Sequence, residues 1–250
     1  MSLTKNEIKL IKSLQIKKYR DSHGLFIIEG EKMISELLTQ SKFKVDTLFY
    51  TDEFKLEGIS NSIHKVQITA KELDRISGLK SPNKVLATVK MLEPIGIDFD
   101  TDHLVLLLDD IKDPGNLGTI IRTADWFGVK QIIASEKTVD IYNPKTIQSS
   151  MGAVYRIQMR YQNLESTIET LKTNDFIISG ASLTGKTIYD ATFTPKTALV
   201  MGNESHGIST NIMKQLDQEL LIPRFGKTES LNVSIATGIF LAEYCRHINV

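Results

Sequence analysis

The sequence predicts two successive α/β units, a small mixed unit followed by a larger one built on a mostly parallel sheet. In the second half of the chain, short apolar runs alternate with helical stretches, which is typical of parallel strands covered by helices on both faces. Between the halves, Pro94, Gly96 and three aspartates interrupt the hydrophobic periodicity, as a linker would. The 250 residues, 41% apolar and 24% charged, suffice for two cores.

The smaller unit is predicted to span residues 1–92. Its expected elements are a helix within the first twenty residues, a strand at 25–28, a helix at 30–38, strands at 45–50 and 63–68, a helix at 70–77 and a strand at 85–91. The opening helix would place Ile8, Leu10, Ile11 and Leu14 on one face and lysines on another. A basic face of this kind can bind nucleic acid, and the alternative is a face that is simply solvated.

The linker is predicted at residues 93–102 and the larger unit at residues 103–250. Its expected strands are LVLLLD, VKQIIA, FIISG, ALVMG and ELLIP, and its expected helices lie at 119–127, 144–151, 164–172 and 234–247. Ligands of open α/β sheets bind at the carboxyl ends of the strands. A functional site is therefore expected in the loops that follow these strands.

The first of these loops is DDIKDPGNLG, in which we expect a tight Pro114–Gly115 turn. Asn116 offers both a hydrogen-bond donor and an acceptor, and the guanidinium of Arg122 suits a phosphate. The segment lacks the third glycine of a dinucleotide fingerprint and the Gly-Lys-Ser/Thr ending of a P-loop. It also follows a strand, whereas the GxxG loop of a KH module joins two helices. A purely structural turn is the alternative.

Two further loops carry polar side chains at strand ends. In MGNESHG, Gly202 and Gly207 flank four polar residues, but the GxSxG of a nucleophile elbow is missing, which argues against a hydrolase. In IPRFGKTESLN, Ser230 and Asn232 precede the last helix, whose free backbone N–H groups can bind a ligand. Capping of that helix by Ser230 or Asn232 is the alternative.

The composition bounds the remaining classes of function. The net charge is zero, so no global basic field indicates a nucleic-acid partner. The single cysteine, Cys245, cannot form an internal disulfide, and no uninterrupted apolar stretch suggests a signal peptide or a membrane span. We therefore expect a cytoplasmic protein without membrane association. No metal site is expected either, since the histidines are scattered and HExxH and CxxC spacings are missing.

Taken together, DPGNLGTIIRTADWFG, LVMGNESHGIS and IPRFGKTESLNVSIATGIFLAEY resemble the three ordered motifs of the SpoU (TrmH-like) branch of the SPOUT RNA methyltransferases. KTIQSSMGAVYRI is similar to a further segment of that family, so the resemblance spans about residues 103–247. YRDSHGLFIIEGEKMISELL resembles the substrate-binding domain often attached to SpoU enzymes, which is related to a ribosomal protein family. Departures from the family pattern are Arg224 and Phe225, after the Ile-Pro pair, and His206.

The resemblance implies a C-terminal trefoil knot, a homodimer joined through the catalytic domain, and an active site built from both chains. It also implies that the methyl group of S-adenosylmethionine is transferred to a ribose 2′-hydroxyl of RNA, with ribosomal RNA favoured over transfer RNA. The implied catalytic residues are Asn116, Arg122, Glu204, Ser230 and Asn232. The implied cofactor-binding residues are Ala181, Ser182, Leu183, Met201, Gly202, Asn203, Gly207, Ile222, Pro223, Ser230, Leu231 and Asn232.

RNA phosphates are expected to meet the basic opening helix and basic residues beside the site. The expected contacts are Lys5, Lys9, Lys12, Lys18, Arg20, Lys112, Lys145, Arg156 and Lys227. Such binding should weaken steeply with salt.

Methyl transfer from a sulfonium is an in-line displacement, so the protein chiefly aligns the ribose oxygen and removes one proton. A guanidinium with a pKa of about 12 or more is a poor proton acceptor. Arg122 is therefore expected to hold a phosphate and to stabilise alkoxide charge, with the proton leaving through Glu204, water or a transiently neutral arginine. Glu204 is equally well interpreted as structural, bonding backbone N–H groups of its own loop. Two rivals are a catalytically silent RNA-binding assembly factor and a nicotinamide dehydrogenase, for which the fingerprint is missing.

Overall fold

A computed structural model describes residues 3–93, 96, 99 and 104–248. The chain forms two compact units, one of residues 1–93 with 140–155 and one of residues 94–139 with 156–250. Residues 140–155, which are predicted to belong to the larger domain, group with the smaller unit by compactness. Most of the predicted linker lies outside the described residues, and the predicted domain boundaries stay a prediction.

The helices and strands follow one another along the whole described chain. The helices are α1 Lys5–Ser13, α2 Lys17–His23, α3 Glu31–Thr39, α4 Ala70–Ile76, α5 Pro114–Trp126, α6 Pro144–Ser150, α7 Leu164–Thr173, α8 Thr210–Met213 and α9 Val233–Ile248. The strands are β1 Leu25–Glu29, β2 Val45–Tyr50, β3 His64–Gln67, β4 Val85–Lys90, β5 Val105–Leu108, β6 Gln131–Ala134, β7 Gln158–Tyr161, β8 Ile177–Thr187, β9 Thr197–Met201 and β10 Gln218–Leu221.

The smaller unit is built on a four-stranded mixed sheet in the order β1-β4-β2-β3. Strand β4 pairs antiparallel with β1 and β2, whereas β2 and β3 are parallel. Helices α1 and α4 both begin with a capping box, in which a threonine hydroxyl and a glutamate carboxylate three residues later each bond the other's backbone N–H. These local signals fix where the two helices start.

The single opening helix predicted for the first twenty residues is wrong, because the chain forms two helices there. Ile16 adopts an extended backbone and separates α1 from α2. The turn allows the Arg20 guanidinium to donate to the carbonyl oxygens of Leu14 and Gln15, at 2.9 and 3.0 Å, where α1 leaves its last carbonyls without helical partners. Arg20 also pairs with Asp140, and the exposed fraction of Arg20 is 1%.

The larger unit confirms the predicted parallel sheet. Six strands lie in the order β10-β8-β9-β5-β6-β7, and each neighbouring pair in this sheet is parallel. Every residue of β5 and β9 is buried, so both faces of the central strands are covered, as the continuous apolar runs indicate. The trefoil knot that the family resemblance implies stays a prediction.

Four elements of the larger unit differ from the prediction, and one of them is the four-residue helix α8, which was not predicted. Helix α5 begins at Pro114 rather than 119, because Asp113 caps it and proline fits the first helical position. Strand β7 was not predicted; it is a short edge strand with mixed burial and a weak apolar signal. Strand β8 extends to Thr187, well beyond the apolar FIISG run. Among the described residues, no helix is both long enough and apolar enough to cross a bilayer.

Candidate functional site

The centre of the parallel sheet contains a topological switch point. Strand β5 lies between β9 on one side and β6 on the other, and the chain leaves β5 towards β6 and β7 before it returns to the other half of the sheet. The loops after β5 and β9 therefore diverge above the same edge. In open α/β sheets this crevice is where ligands bind.

The loop after β5 is shaped by the start of helix α5. The Asp113 carboxylate accepts a hydrogen bond from the Asn116 backbone N–H at 2.9 Å, which caps the helix. The expected tight Pro114–Gly115 turn is wrong, because both residues already lie in the first helical turn. The capped helix start fixes Asn116 in that first turn, with its side chain directed at the neighbouring loop.

Glu204, in the loop after β9, connects the two loops. Its carboxylate accepts from the Asn116 side-chain amide at 3.0 Å and from the backbone N–H groups of Lys112 and Asp113, both at 3.4 Å. Glu204 does bond backbone N–H groups, as the structural alternative expects, but these groups belong to the loop after β5 and not to its own loop.

Asn203, rather than Glu204, holds the loop after β9 in shape. Its side-chain oxygen accepts from the backbone N–H groups of Ser205 and His206, and its amide donates to the Asp110 carbonyl at 2.7 Å. The loop closes on Gly202, where an added Cβ would lie 2.2 Å from backbone atoms of the 207–208 segment. Only glycine fits at residue 202.

The third loop reaches the same cluster through Asn232, whose amide donates to the Asn116 side-chain oxygen at 2.9 Å. The Asn232 oxygen accepts from the backbone N–H groups of Ser234 and Ile235, at 2.9 and 3.4 Å, and thus caps helix α9. The capping interpretation of this residue is confirmed, and its role in catalysis and cofactor binding stays a prediction. A directed relay runs from Asn232 through Asn116 to Glu204.

The remaining two predicted catalytic residues lie outside this relay. Ser230 is exposed on the wall of the cavity beside the relay. Arg122 is exposed on α5 and makes no hydrogen bond or ion pair with the described part of the chain. Six residues separate it from Asn116, which places the two about 120° apart around the helix. Arg122 instead shares an exposed stripe with Trp126, one turn further on.

A cavity of about 680 Å³ opens beside the relay. Its lining includes all the predicted cofactor-binding residues except Asn232, and it also includes Glu204. The lining residues that the sequence analysis missed are Ser205, His206, Ile208, Met213, Arg224, Phe225, Gly226, Thr228, Glu229, Val233, Ala236 and Phe240. Three of these residues, Val233, Ala236 and Phe240, belong to α9. Their helical spacing predicts that they share one face of the helix, but it does not indicate that this face lines a cavity.

One wall of the cavity is a bulge in strand β8. Glu219 of β10 pairs with Gly180, but the next residue of β10 pairs with Lys186, so residues 181–185 loop out of the sheet. Gly185 has a φ of +95°, and an added Cβ would lie 2.5 Å from the Glu219 carbonyl oxygen. The bulge therefore requires glycine where the loop returns to the sheet.

The predicted RNA contacts have different surroundings. Lys5, Lys9, Lys12, Lys18, Lys145 and Lys227 are exposed. Arg20 is wrongly predicted, because its guanidinium is buried against Asp140 and two carbonyls and cannot meet a phosphate. Lys112 is exposed but pairs with Asp110, and Arg156 pairs with Asp125 at 2.8 Å while half exposed.

Comparison with protein-family models gives two matches. Residues 103–242 match the SpoU rRNA Methylase family, and residues 5–87 match the MRM3-like substrate binding domain. Both predicted resemblances are thereby confirmed.

Individual relatives match over most of the chain. The 23S rRNA (guanosine(2553)-2′-O)-methyltransferase RlmP of Bacillus subtilis is 31% identical over 96% of this chain and 96% of its own length. The 23S rRNA (guanosine-2′-O-)-methyltransferase RlmB of Pasteurella multocida is 31% identical over 78% of this chain and 86% of its own length. The crystal structure of an AdoMet-bound rRNA methyltransferase from Sinorhizobium meliloti superposes with a TM-score of 0.89 at 29% identity, covering 99% of this chain and 98% of the other.

Proposed function

The chain belongs to the SpoU rRNA methylase family, and from that premise we propose that it methylates a ribose 2′-hydroxyl of ribosomal RNA with S-adenosylmethionine as the donor. The observation that carries the proposal is the relay from Asn232 through Asn116 to Glu204, whose last member lines a cavity of about 680 Å³. Three loops that are far apart in sequence supply it, and all meet above the switch point of the sheet.

The cavity fits the donor in size and in lining. Its volume lies within the range of about 300–1,000 Å³ that is typical of small-molecule sites. The floor from α9 is apolar, whereas the bulge 181–185 and the segment 202–207 present backbone groups at glycines, where a ligand can approach closely. When bound there, S-adenosylmethionine supplies a methyl group already activated by its positive sulfur.

The relay positions groups rather than performing proton transfer by itself. A carboxylate offers about four lone-pair sites, and three donors already occupy Glu204. Glu204 therefore chiefly fixes the orientation of Asn116, while the exposed Ser230 hydroxyl on the cavity lining is placed to orient a ribose or a phosphate.

The exposed stripe on α5 supports the homodimer and the shared active site that family membership suggests. The exposed fraction of the Trp126 side chain is 84% and that of Ile235 on α9 is 56%, which is unusual for large apolar residues of a monomer. Helices α5 and α9 pack side by side, with Thr123 Cγ2 only 3.6 Å from where a Cβ at Gly238 would lie. Pairing through this face buries Trp126 and puts Arg122 at the subunit junction, where it serves a site completed by both chains.

Subunit complementation tests the shared site. Arg122→Ala and Asn116→Ala subunits are each expected to be inactive, and random mixing of the two should restore about a quarter of wild-type activity, because half of the dimers then hold one intact site. If the mixture stays inactive while native mass spectrometry shows mixed dimers, Arg122 and Asn116 act within one chain.

Ribosomal RNA is favoured over transfer RNA because B. subtilis RlmP, which is named for a 23S rRNA activity, matches both units of this chain. The test is transfer of labelled methyl from S-adenosylmethionine to unmodified total RNA fractionated by size. Label in large ribosomal RNA supports the proposal, and label in transfer RNA would show that transfer RNA is the substrate instead. If the protein binds S-adenosylmethionine but labels neither RNA fraction, and also labels no RNA within ribosomal subunits, the result favours the catalytically silent assembly factor.

A further inference from the structure

The loop between β10 and α9 exposes one aromatic ring almost completely. The exposed fraction of Phe225 is 96%, which is larger than that of any other exposed large hydrophobic residue described. The loop around the ring is ordered by a hydrogen bond from Arg224 Nη1 to the Thr228 carbonyl at 3.4 Å. A phenyl ring that is almost fully exposed to water contributes little packing to the fold. The position of the ring relative to the cavity therefore indicates what kind of molecule it contacts.

Phe225 stands at the mouth of the cavity that the donor is proposed to occupy. It belongs to the cavity lining together with Ser230, and the same loop ends at Asn232, whose amide bonds Asn116. Leu183, with an exposed fraction of 77%, lies on the same lining from the β8 bulge. The mouth is therefore flanked by two apolar side chains, with the Ser230 hydroxyl and the Glu204 carboxylate on the same lining.

The charges next to the ring favour a nucleic acid over an apolar protein surface. Arg224 directly precedes Phe225, Lys227 follows two residues later, and both cations are exposed. The one acidic residue of this stretch, Glu229, lies nearer to α9. An aromatic ring between two cations provides a stacking surface for a base and partners for the phosphates on either side of it.

We propose that Phe225 stacks against an unpaired base of the substrate RNA, at the methylated nucleotide or at its immediate neighbour. This inference rests on the proposed function, because a ribose that reaches the cavity brings its base within reach of the rim. It adds a substrate requirement: the target nucleotide must be unpaired, since a base stacked within a duplex cannot present its face to the ring.

Steady-state kinetics separate stacking from cofactor contact. Phe225→Ala should raise the KM for RNA by about 5-fold to 150-fold, the usual contribution of one stacked base, and leave the Kd for S-adenosylmethionine unchanged. Phe225→Trp should restore the RNA KM, whereas Phe225→Leu, which is apolar but not aromatic, should not. Tyr189→Ala removes an exposed aromatic outside the cavity lining and serves as the matched control.

Tryptophan fluorescence tests the contact without turnover, so it remains informative if no methylation is found. Trp126 is the only tryptophan, so Phe225→Trp in a Trp126→Phe background gives a single reporter on the rim. Single-stranded RNA should quench that emission, and S-adenosylmethionine alone should not; a Tyr189→Trp reporter should be insensitive to both.

Three results would overturn the proposal. An unchanged RNA KM in Phe225→Ala with no quenching means that no base stacks on the ring. A change confined to the Kd for S-adenosylmethionine would show that Phe225 contacts the methyl donor rather than the RNA. A monomeric Phe225→Ala protein in light scattering makes it part of a subunit interface.

Discussion

Replacing Asn232 with aspartate separates the two tasks of this side chain. The aspartate keeps an oxygen for the backbone N–H groups of Ser234 and Ile235, and its charge is favourable at a helix N-terminus by about 0.3–1 kcal/mol. The free energy of unfolding should therefore stay level or rise slightly. Asn232→Ala removes the cap and should lower it by about 1 kcal/mol.

The hydrogen-bond relay, in contrast, is broken by aspartate at residue 232. With a carboxylate at 232, the side-chain oxygen of Asn116 faces another acceptor at about the observed 2.9 Å. If the Asn116 amide turns over, its oxygen faces the Glu204 carboxylate instead, where the amide now donates at 3.0 Å. Either way Asn116 loses its fixed orientation. Both contacts are exposed, so water solvates the freed groups and the folded state loses little. A misaligned Asn116, however, should lower kcat/KM at least about tenfold, or about 1.4 kcal/mol of transition-state free energy.

The assay pairs urea denaturation followed by circular dichroism with methyl transfer to ribosomal RNA. Asn232→Asp should be stable and at least about tenfold less active, and Asn232→Ala should be both less stable and less active. An aspartate variant with wild-type activity would refute the relay, and one as unstable as the alanine variant would refute the cap.

Three further predictions concern the fold around the site. Arg20→Leu strands the buried Asp140 carboxylate and should lower the free energy of unfolding by about 3–5 kcal/mol in urea titrations, with Asp140→Asn in addition recovering part of the loss; a cost below about 1 kcal/mol would contradict this. Gly202→Ala should abolish S-adenosylmethionine binding in calorimetry, whereas Gly226→Ala, which has open space for a methyl group, should bind normally. Burial raises the pKa of the Glu29 carboxyl, so folding favours its protonated form. Its contribution to stability is therefore lost as the pH rises from the ordinary carboxyl range through the raised pKa. The melting temperature should depend less on pH across that range in Glu29→Gln than in the wild type, and an unchanged pH dependence would show that another group is responsible.

The sequence predicted the parts of the fold that depend on local patterns. The buried strands β5 and β9 are continuous apolar runs, and helices α7 and α9 follow from apolar periodicity. The predicted start of α5 lies five residues too late because a Pro-Gly pair is typical of a turn, although a preceding Asp113 makes Pro114 a normal first helical residue. The edge strand β7 was missed because it alternates weakly.

The candidate site was only partly predictable, because its contacts join loops distant in sequence. The motifs indicated which residues gather, but not that the Asn116 amide is fixed between Asn232 and Glu204. A charge pattern alone could not distinguish the solvated Lys18 from Arg20, two residues later, whose partner Asp140 lies 120 residues away. The exposure of Phe225 likewise depends on how its loop leaves the sheet.

The most direct test of the account is the chemical position of the methyl group. Ribosomal RNA labelled by the wild-type protein is hydrolysed in alkali, and the label should stay in an alkali-resistant dinucleotide, because a 2′-O-methyl ribose cannot assist cleavage of its own phosphodiester. The Arg122→Ala protein should bind S-adenosylmethionine normally and transfer no label. Label released with mononucleotides would place the methyl on a base, and full activity in Arg122→Ala would remove the arginine from the site; either result contradicts a ribose 2′-O-methyltransferase built on these residues.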